Sequence, residues 1–335
     1  MGKESISRLE DALNDSDEKV SMKWAYSADG LWTLVGNGLR SREDCGKFAG
    51  FVGCPHSEQH GQASLDGENH AGQVYVQVTH HFCHKSTCSL CFELGWALEQ
   101  AKEIEFRITE ASKQFGEPEH IIISPPLKVQ GKDFEVLRRD AAKAAFRRGV
   151  VGGSLLFHYF RYDPIRHWYQ GLHFHCIGFL KDGYGKCRRC KYQLDGSFSK
   201  CRECSVFEGI TRRLNKKDGY VVKVADASRE RQTVFGTAYY ELKHASVKVG
   251  VPRFRPVSYF GTVSYRKLRI SGAARKRWDE EHKPKCPSCG SDLVRIGYAG
   301  VRSIVTDRSA VGYQHKFWAD FLENGFPAWY VKEGG

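Results

Sequence analysis

The sequence predicts an α+β fold in which helices pack on a sheet and zinc-binding modules are inserted into it and flank it. Three observations predict this. Between residues 116 and 275, short apolar runs alternate with stretches of helical period. Eight of the twelve cysteines fall in four Cys-x-x-Cys pairs, Cys88/Cys91, Cys187/Cys190, Cys201/Cys204 and Cys286/Cys289, a spacing that lets two thiolates close on one tetrahedral ion. With 335 residues, 41% of them apolar, the chain can bury one large core with appended modules.

Residues 1–44 are expected to be a flexible N-terminal segment. Residues 45–91 are rich in Gly, His and Cys with little periodicity, and read as an irregular, metal-held module. From 91 to 115, Leu94, Leu98, Ala101 and Glu105 share a helical face with Trp96 beside it, and Gly116 and Pro118 end the helix. This module with its helix forms a predicted domain over 45–115. The run His120-Ile121-Ile122-Ile123-Ser124 is a strand stopped by Pro125-Pro126. Asp133 begins and Gly149 ends a helix over 133–148. Residues 153–161 and 168–180 are two longer strands that can pair antiparallel through the Asp163-Pro164 loop. Residues 219–225 form a strand and 229–245 a helix with Gly236 as its weak point. A fifth strand is expected at 257–265. The main domain spans 116–275 with a zinc-ribbon insertion at 184–207, and 276–335 form a C-terminal zinc knuckle with an aromatic tail.

The formal net charge of +12 suits a polyanionic partner, because Lys and Arg release counterions from phosphates. No stretch approaches the ~18 apolar residues of a membrane span. The first twenty residues are polar and acidic, unlike a signal peptide, so a cytoplasmic location is expected. In a reducing compartment zinc accounts for the cysteines better than disulfides do.

The sharpest local feature is Gly171-Leu172-His173-Phe174-His175-Cys176-Ile177. Alternation along a strand points His173 and His175 the same way and sends Phe174 and Cys176 into the opposite layer. Two imidazoles on one face make a seat for a divalent cation. Further on, Tyr240-Glu241-Leu242-Lys243 sets a phenol and an ammonium at i and i+3 of a helix, where both can reach one phosphate. A phenol with a pKa near ~10 is a poor nucleophile unless a metal and a cation assist it.

The ordered combination of HIIISPP, then HFH, then Tyr-x-x-Lys resembles the HUH endonucleases, most closely the rolling-circle replication initiators (Rep proteins) of archaeal plasmids and viruses. The resemblance covers about residues 80–290 and includes HFCHKSTCSLCFELGWALEQA, similar to the zinc-binding preamble of archaeal Rep proteins. It implies a central antiparallel sheet of about five strands, the HUH/RRM-like palm. It implies that His173 and His175 bind Mg²⁺ or Mn²⁺ and that Tyr240 attacks the scissile phosphate. The product would be a 5′-phosphotyrosine and a 3′-hydroxyl primer, with Lys243 positioning metal or phosphate. The third metal ligand is not obvious: His158 on the neighbouring strand is the first choice and His167 the second. Thr233-Val234-Phe235-Gly236 holds no acid of the kind that activates water ahead of the tyrosine in some relatives. Tyr239 points about 100° away from Tyr240, and two working tyrosines are an open alternative. No G-x-x-x-x-G-K-[ST] occurs, so a host helicase and polymerase would act beside the protein.

Two to three zinc sites are expected. Cys187, Cys190, Cys201 and Cys204 match a four-cysteine ribbon. Cys83, Cys88 and Cys91 supply three ligands, with Cys54 the best fourth and His56, His60, His81 or His84 as alternatives; Cys45 reads as a free buried thiol. Cys286 and Cys289 are half a site, with His244 and His282 as possible partners. Arg266, Lys267, Arg269, Arg275, Lys276 and Arg277, together with Arg138, Arg139, Lys143, Arg147 and Arg148, are candidates for holding single-stranded or hairpin origin DNA. Tyr259, Phe260, Tyr265 and Trp278 are interleaved for base stacking. An HUH transposase or relaxase, and a non-catalytic zinc-ribbon DNA-binding regulator, are the alternatives.

Overall fold

The computed structural model describes residues 26–38, 42–61, 64–71, 73–165, 167–181, 218–225, 233–251, 254–298, 303–306, 309–314 and 328–332. In chain order the strands are β1 (Trp32–Leu34), β2 (Phe48–Gly53), β3 (Gln73–His80), β4 (Glu119–Ser124), β5 (Val150–Asp163), β6 (His167–Leu180), β7 (Val221–Val224), β8 (Ser246–Lys248), β9 (Val257–Gly261), β10 (Val294–Tyr298), β11 (Ser303–Thr306), β12 (Ser309–Gln314) and β13 (Ala328–Lys332). The longer helices are α1 (Leu98–Phe115), α2 (Phe134–Arg147), α3 (Val234–Lys243) and α4 (Gly272–Glu281). No helix among the described residues is long and apolar enough to cross a membrane. The chain divides into two compact units, one from residues 17–41 and 83–271, the other drawn chiefly from 42–82 and 272–335.

The first unit is α+β. Its five-stranded sheet runs β7-β4-β6-β5-β9, and every neighbouring pair is antiparallel. The β5–β6 hairpin is its spine. Alternation sorts the side chains: Ile121, Ile123, Phe157, Phe174 and Val222 turn to one face, where Phe134, Leu137 and Ala141 of α2 cover them. Leu156, Ile177 and Phe179 turn to the other, under Ile104 and Ile108 of α1 and Ala238 and Leu242 of α3. Asp133 caps α2 by accepting the Glu135 N–H at 2.9 Å, an interaction whose removal typically costs about 1 kcal/mol. Gly149, at φ +85°, turns the chain from α2 into β5.

Helix α1 is preceded by a wider π-turn at Phe92–Ala97, where the sequence predicts continuous α-helix from 91. The expected flexible segment 1–44 contains β1, paired to β8, with Trp32 buried among Phe134, Phe157, Tyr159 and Phe254. A strand of three residues is too short to register as an alternation, and its partner lies more than 200 residues away.

The second unit corrects two expectations. Residues 45–91 are not wholly irregular, since β2 and β3 lie there. Nor are the N- and C-terminal modules separate. The strands form one closed antiparallel barrel, β10-β11-β12-β13-β3-β2, around Phe51, Val74, Val76 and Ile296. Pairing between segments so far apart leaves no local trace in the sequence.

Candidate metal centre and tyrosine cleft

Register carries the histidines together. On β5 and β6, His158 faces His173 and Leu156 faces His175, while Ile122 of β4 pairs with His175. His158, His173 and His175 therefore emerge from one face, and so does His120, two residues before Ile122. A slip of one residue in either strand would send the set into the opposite layer. Ring centroids lie 5.1 Å apart for His158–His173, 4.6 Å for His158–His175 and 4.8 Å for His173–His175. One ring nitrogen from each of these three lies within 4.8 Å of the others. His158, the first choice for third ligand, belongs to the group. His167 does not: it sits exposed at the hairpin tip with φ +54°.

All three imidazoles are held neutral at physiological pH. Burial depresses His173 to about 3, helped by the Arg161 guanidinium. Burial and the neighbouring rings hold His158 and His175 well below the usual histidine range. The His173 Nδ1–H donates to the Gly171 carbonyl at 2.7 Å, so its Nε2 carries the lone pair. Neutral imidazoles with fixed tautomers are what a cation requires of such ligands.

The helix above adds a carboxylate that the sequence reading did not single out. Thr233 caps α3 by accepting the Gly236 N–H at 2.9 Å. Glu241 is buried, its oxygens 3.3 Å from His175 Nε2, 3.8 Å from His120 Nε2 and 3.9 Å from His158 Nε2. His120 lies 2.8 Å from His175 Nδ1 through its own Nε2. His120, His175 and Glu241 thus form a second group of possible ligands that shares His175 with the first. Strand parity could have found His120, but Glu241 shows only once α3 is docked.

Tyr240 lines the same cleft, about 330 Å³ in volume, as His158, His173, His175, Glu241 and His244. Its ring lies 4.6 Å from that of His244, whose Nδ1–H donates to the Tyr240 carbonyl at 2.9 Å. Tyr239 turns the other way: it stacks on Phe235 at 5.8 Å and is half-buried in the α1/α3 core, where burial pushes its phenol up. Lys243 departs from expectation. Its Nζ lies 5.6 Å from the Tyr239 ring, and it is not among the described residues lining the cleft. Around a helix, i and i+4 differ by about 40° but i and i+3 by about 60°, so Lys243 leans towards Tyr239 rather than Tyr240.

The cysteines sort differently from expectation. Cys54 does not join Cys83, Cys88 and Cys91. It meets His60, Cys286 and Cys289 inside the barrel unit, a group able to hold a zinc-like ion. His60 Nε2 is 3.2 Å from both Cys54 Sγ and Cys286 Sγ, and Cys54 Sγ is 3.4 Å from Cys289 Sγ. The His60 Nδ1–H donates to the Gln73 carbonyl at 2.7 Å and leaves Nε2 as the ligand atom. The Cys54 S–H and the backbone N–H groups of Cys289 and Ser288 hold the Cys286 thiol below the usual thiol range. His244 and His282 are therefore not the partners of Cys286 and Cys289: His244 lines the tyrosine cleft, and His282 stacks on Trp278 at 3.7 Å.

In the first unit Cys83, Cys88 and Cys91 converge, with Cys83 Sγ 3.3 Å from Cys91 Sγ. Cys176 is buried in the opposite layer, as strand parity predicts. Cys187, Cys190, Cys201 and Cys204 lie outside the described residues.

Among the basic residues, Arg266, Lys267 and Arg269 are exposed on the segment after β9, and Arg275, Lys276 and Arg277 lie on α4. Arg148 is not available to DNA. It is fully buried, donates to Asp218 at 2.9 Å and to the Tyr220 carbonyl at 2.6 Å, and so anchors β7 to α2. Arg147 also pairs with Asp218, at 2.9 Å. The chain matches no family model, no curated protein and no solved structure.

Proposed function

We propose that the protein is a metal-dependent, site-specific nickase for single-stranded DNA, acting as a rolling-circle replication initiator through a 5′-phosphotyrosine at Tyr240. One observation carries the reading: Tyr240 shares a single cleft with three buried, neutral histidines. His158, His173 and His175 would hold a divalent cation, with Glu241 as an anionic neighbour. The set of nitrogens with one carboxylate suits Mn²⁺ better than Mg²⁺, which prefers oxygen ligands.

When bound, the cation supplies positive charge to the phosphate oxygens. The Tyr240 oxygen attacks phosphorus and the 3′-oxygen leaves. The phenolic proton passes to His244, whose Nε2 is the ring's acceptor once Nδ1 is committed to the Tyr240 carbonyl. From there it reaches the departing oxygen, leaving a 3′-hydroxyl for a host polymerase behind a host helicase. Tyr240 is the nucleophile in preference to Tyr239, which is tied into the core.

The structural zinc belongs to two modules within the described residues. Cys54, His60, Cys286 and Cys289 make one. Cys83, Cys88 and Cys91 make the other. The exposed residues Arg266, Lys267 and Arg269 contact phosphates.

The test is incubation of labelled single-stranded oligonucleotides with Mn²⁺, followed by mass spectrometry of the covalent adduct. An adduct at Tyr240 that chelator abolishes is the expected result. Binding without cleavage under every divalent ion would leave a DNA-binding regulator; an adduct at Tyr239 would overturn the choice of nucleophile.

A further inference from the structure

A second, larger cleft of about 700 Å³ opens where β9 forms the edge of the sheet. Trp96, Phe254, Tyr259 and Tyr265 line it, with Lys85 and Arg255 exposed at its rim. Arg138 also lines it but is paired with Glu135. No acidic side chain lines it among the described residues.

The aromatic floor is built. The Arg107 guanidinium is buried beneath two rings, 4.1 Å from the Tyr265 centroid and 4.8 Å from that of Tyr259, and donates to the Val263 carbonyl at 2.7 Å. The two tyrosines meet edge to face at 5.4 Å. Tyr265 is nevertheless 66% exposed. A large aromatic ring fixed from below and bare above is an open stacking platform. The remaining aromatics that the sequence offers for stacking are otherwise engaged. Phe260 is buried against Phe146, and Trp278 is stacked on His282.

The rim has its own anchor. Lys85 lies between Cys83 and Cys88, so the thiol knuckle presents it. Val257 pairs with Leu156, and Leu156 is two residues from His158, so the cleft flanks the histidine strand pair. π-faces below cations, with the neighbouring carboxylates Glu99 and Glu135 already paired to His84 and Arg138, describe a seat for unpaired bases and their backbone rather than for a peptide or a duplex.

We propose that this cleft binds unpaired nucleotides of single-stranded DNA by stacking on Tyr265, with Lys85 and Arg255 taking the phosphates. The inference rests on the nickase reading for its biological context and on the cleft alone for its chemistry. The experiment is fluorescence anisotropy of the full chain with labelled dT15 and with a blunt 15-base-pair duplex, over a salt series. Tyr265→Ala should weaken dT15 binding on the order of tenfold with the salt slope unchanged, whereas Tyr265→Phe should stay close to wild type. Arg255→Ala should reduce the salt slope by about 0.7, one single-strand phosphate contact. Unchanged dT15 affinity in Tyr265→Ala, or an equal loss on the duplex, overturns the proposal. Tyr265-dependent binding without any adduct would sink the nickase reading and leave the stacking site; an adduct with Tyr265-independent binding would do the reverse.

Discussion

Replacing Cys286 with alanine removes one of four groups that join distant parts of the chain. His60 and Cys286 are 226 residues apart, and a cross-link closing a loop of that length is worth about 5 kcal/mol in chain entropy. If the 83–271 unit stays folded, only about 38 residues of loop remain free, and the figure falls to about 4 kcal/mol. The binding free energy of structural zinc, roughly 10–16 kcal/mol in small modules, adds to the folding of the unit itself. A domain has on the order of 5–15 kcal/mol in total, so the barrel unit should lose its cooperative fold when the tetrad is opened. Hydrogen exchange with mass spectrometry reads this locally. In Cys286→Ala, amides of Phe51–Gly53 and Val74–Val76 should exchange rapidly, while those of Ile121–Ile123 in the other unit stay protected. Elemental analysis should show one zinc fewer per chain. Unaltered protection of β2 and β3 with that zinc lost would refute the idea that the ion staples the barrel.

Other perturbations separate chemistry from scaffold. Tyr240→Phe should abolish the adduct and Tyr239→Phe should leave it, read by denaturing electrophoresis of labelled DNA; equal loss in both would mean that the tyrosines act together. His175→Ala should lower nicking at least 100-fold while dT15 affinity holds, and parallel loss of both would instead indicate a collapsed sheet. In chelated protein the histidine face should make stability depend on acid. The folded pKa of His173, about 3, lies below its unfolded value of 6.5. Its contribution is therefore complete above pH 6.5 and is lost as pH falls towards 3, at up to about 1.4 kcal/mol per pH unit. Urea melts at pH 7, 5 and 4 would show this, and a flat midpoint would refute it. Arg148→Met should cost about 3 kcal/mol, because it leaves Asp218 and the Tyr220 carbonyl without their buried partner, and DNA affinity should not change.

Local pattern was enough for the longer strands and helices of the larger unit, though not for β1 and β8, and for the direction of its key side chains. The parity of Gly171-Leu172-His173-Phe174-His175-Cys176 alone separates the two imidazoles from the core, because strand side chains alternate whatever the rest of the chain does. The apolar run of β4, the N-cap of α2 and the convergence of Cys83, Cys88 and Cys91 are likewise written within about ten residues each. The expected nickase chemistry stands apart from these, because it depends on reactivity.

Tertiary structure decided everything that joins distant segments. Glu241 looks like any exposed helical glutamate until α3 docks on the histidine face. Lys243 stands at i+3 from Tyr240 and i+4 from Tyr239, both spacings that allow contact on a helix, and the folded structure puts its Nζ by the Tyr239 ring. Cys54, His60, Cys286 and Cys289 become one ligand set because β2 pairs with both β3 and β10, and no spacing rule spans more than 220 residues. Sequence period reports which way a side chain points from its own backbone; which other side chain it meets depends on strand order and helix docking, set by burial of apolar surface across the whole fold.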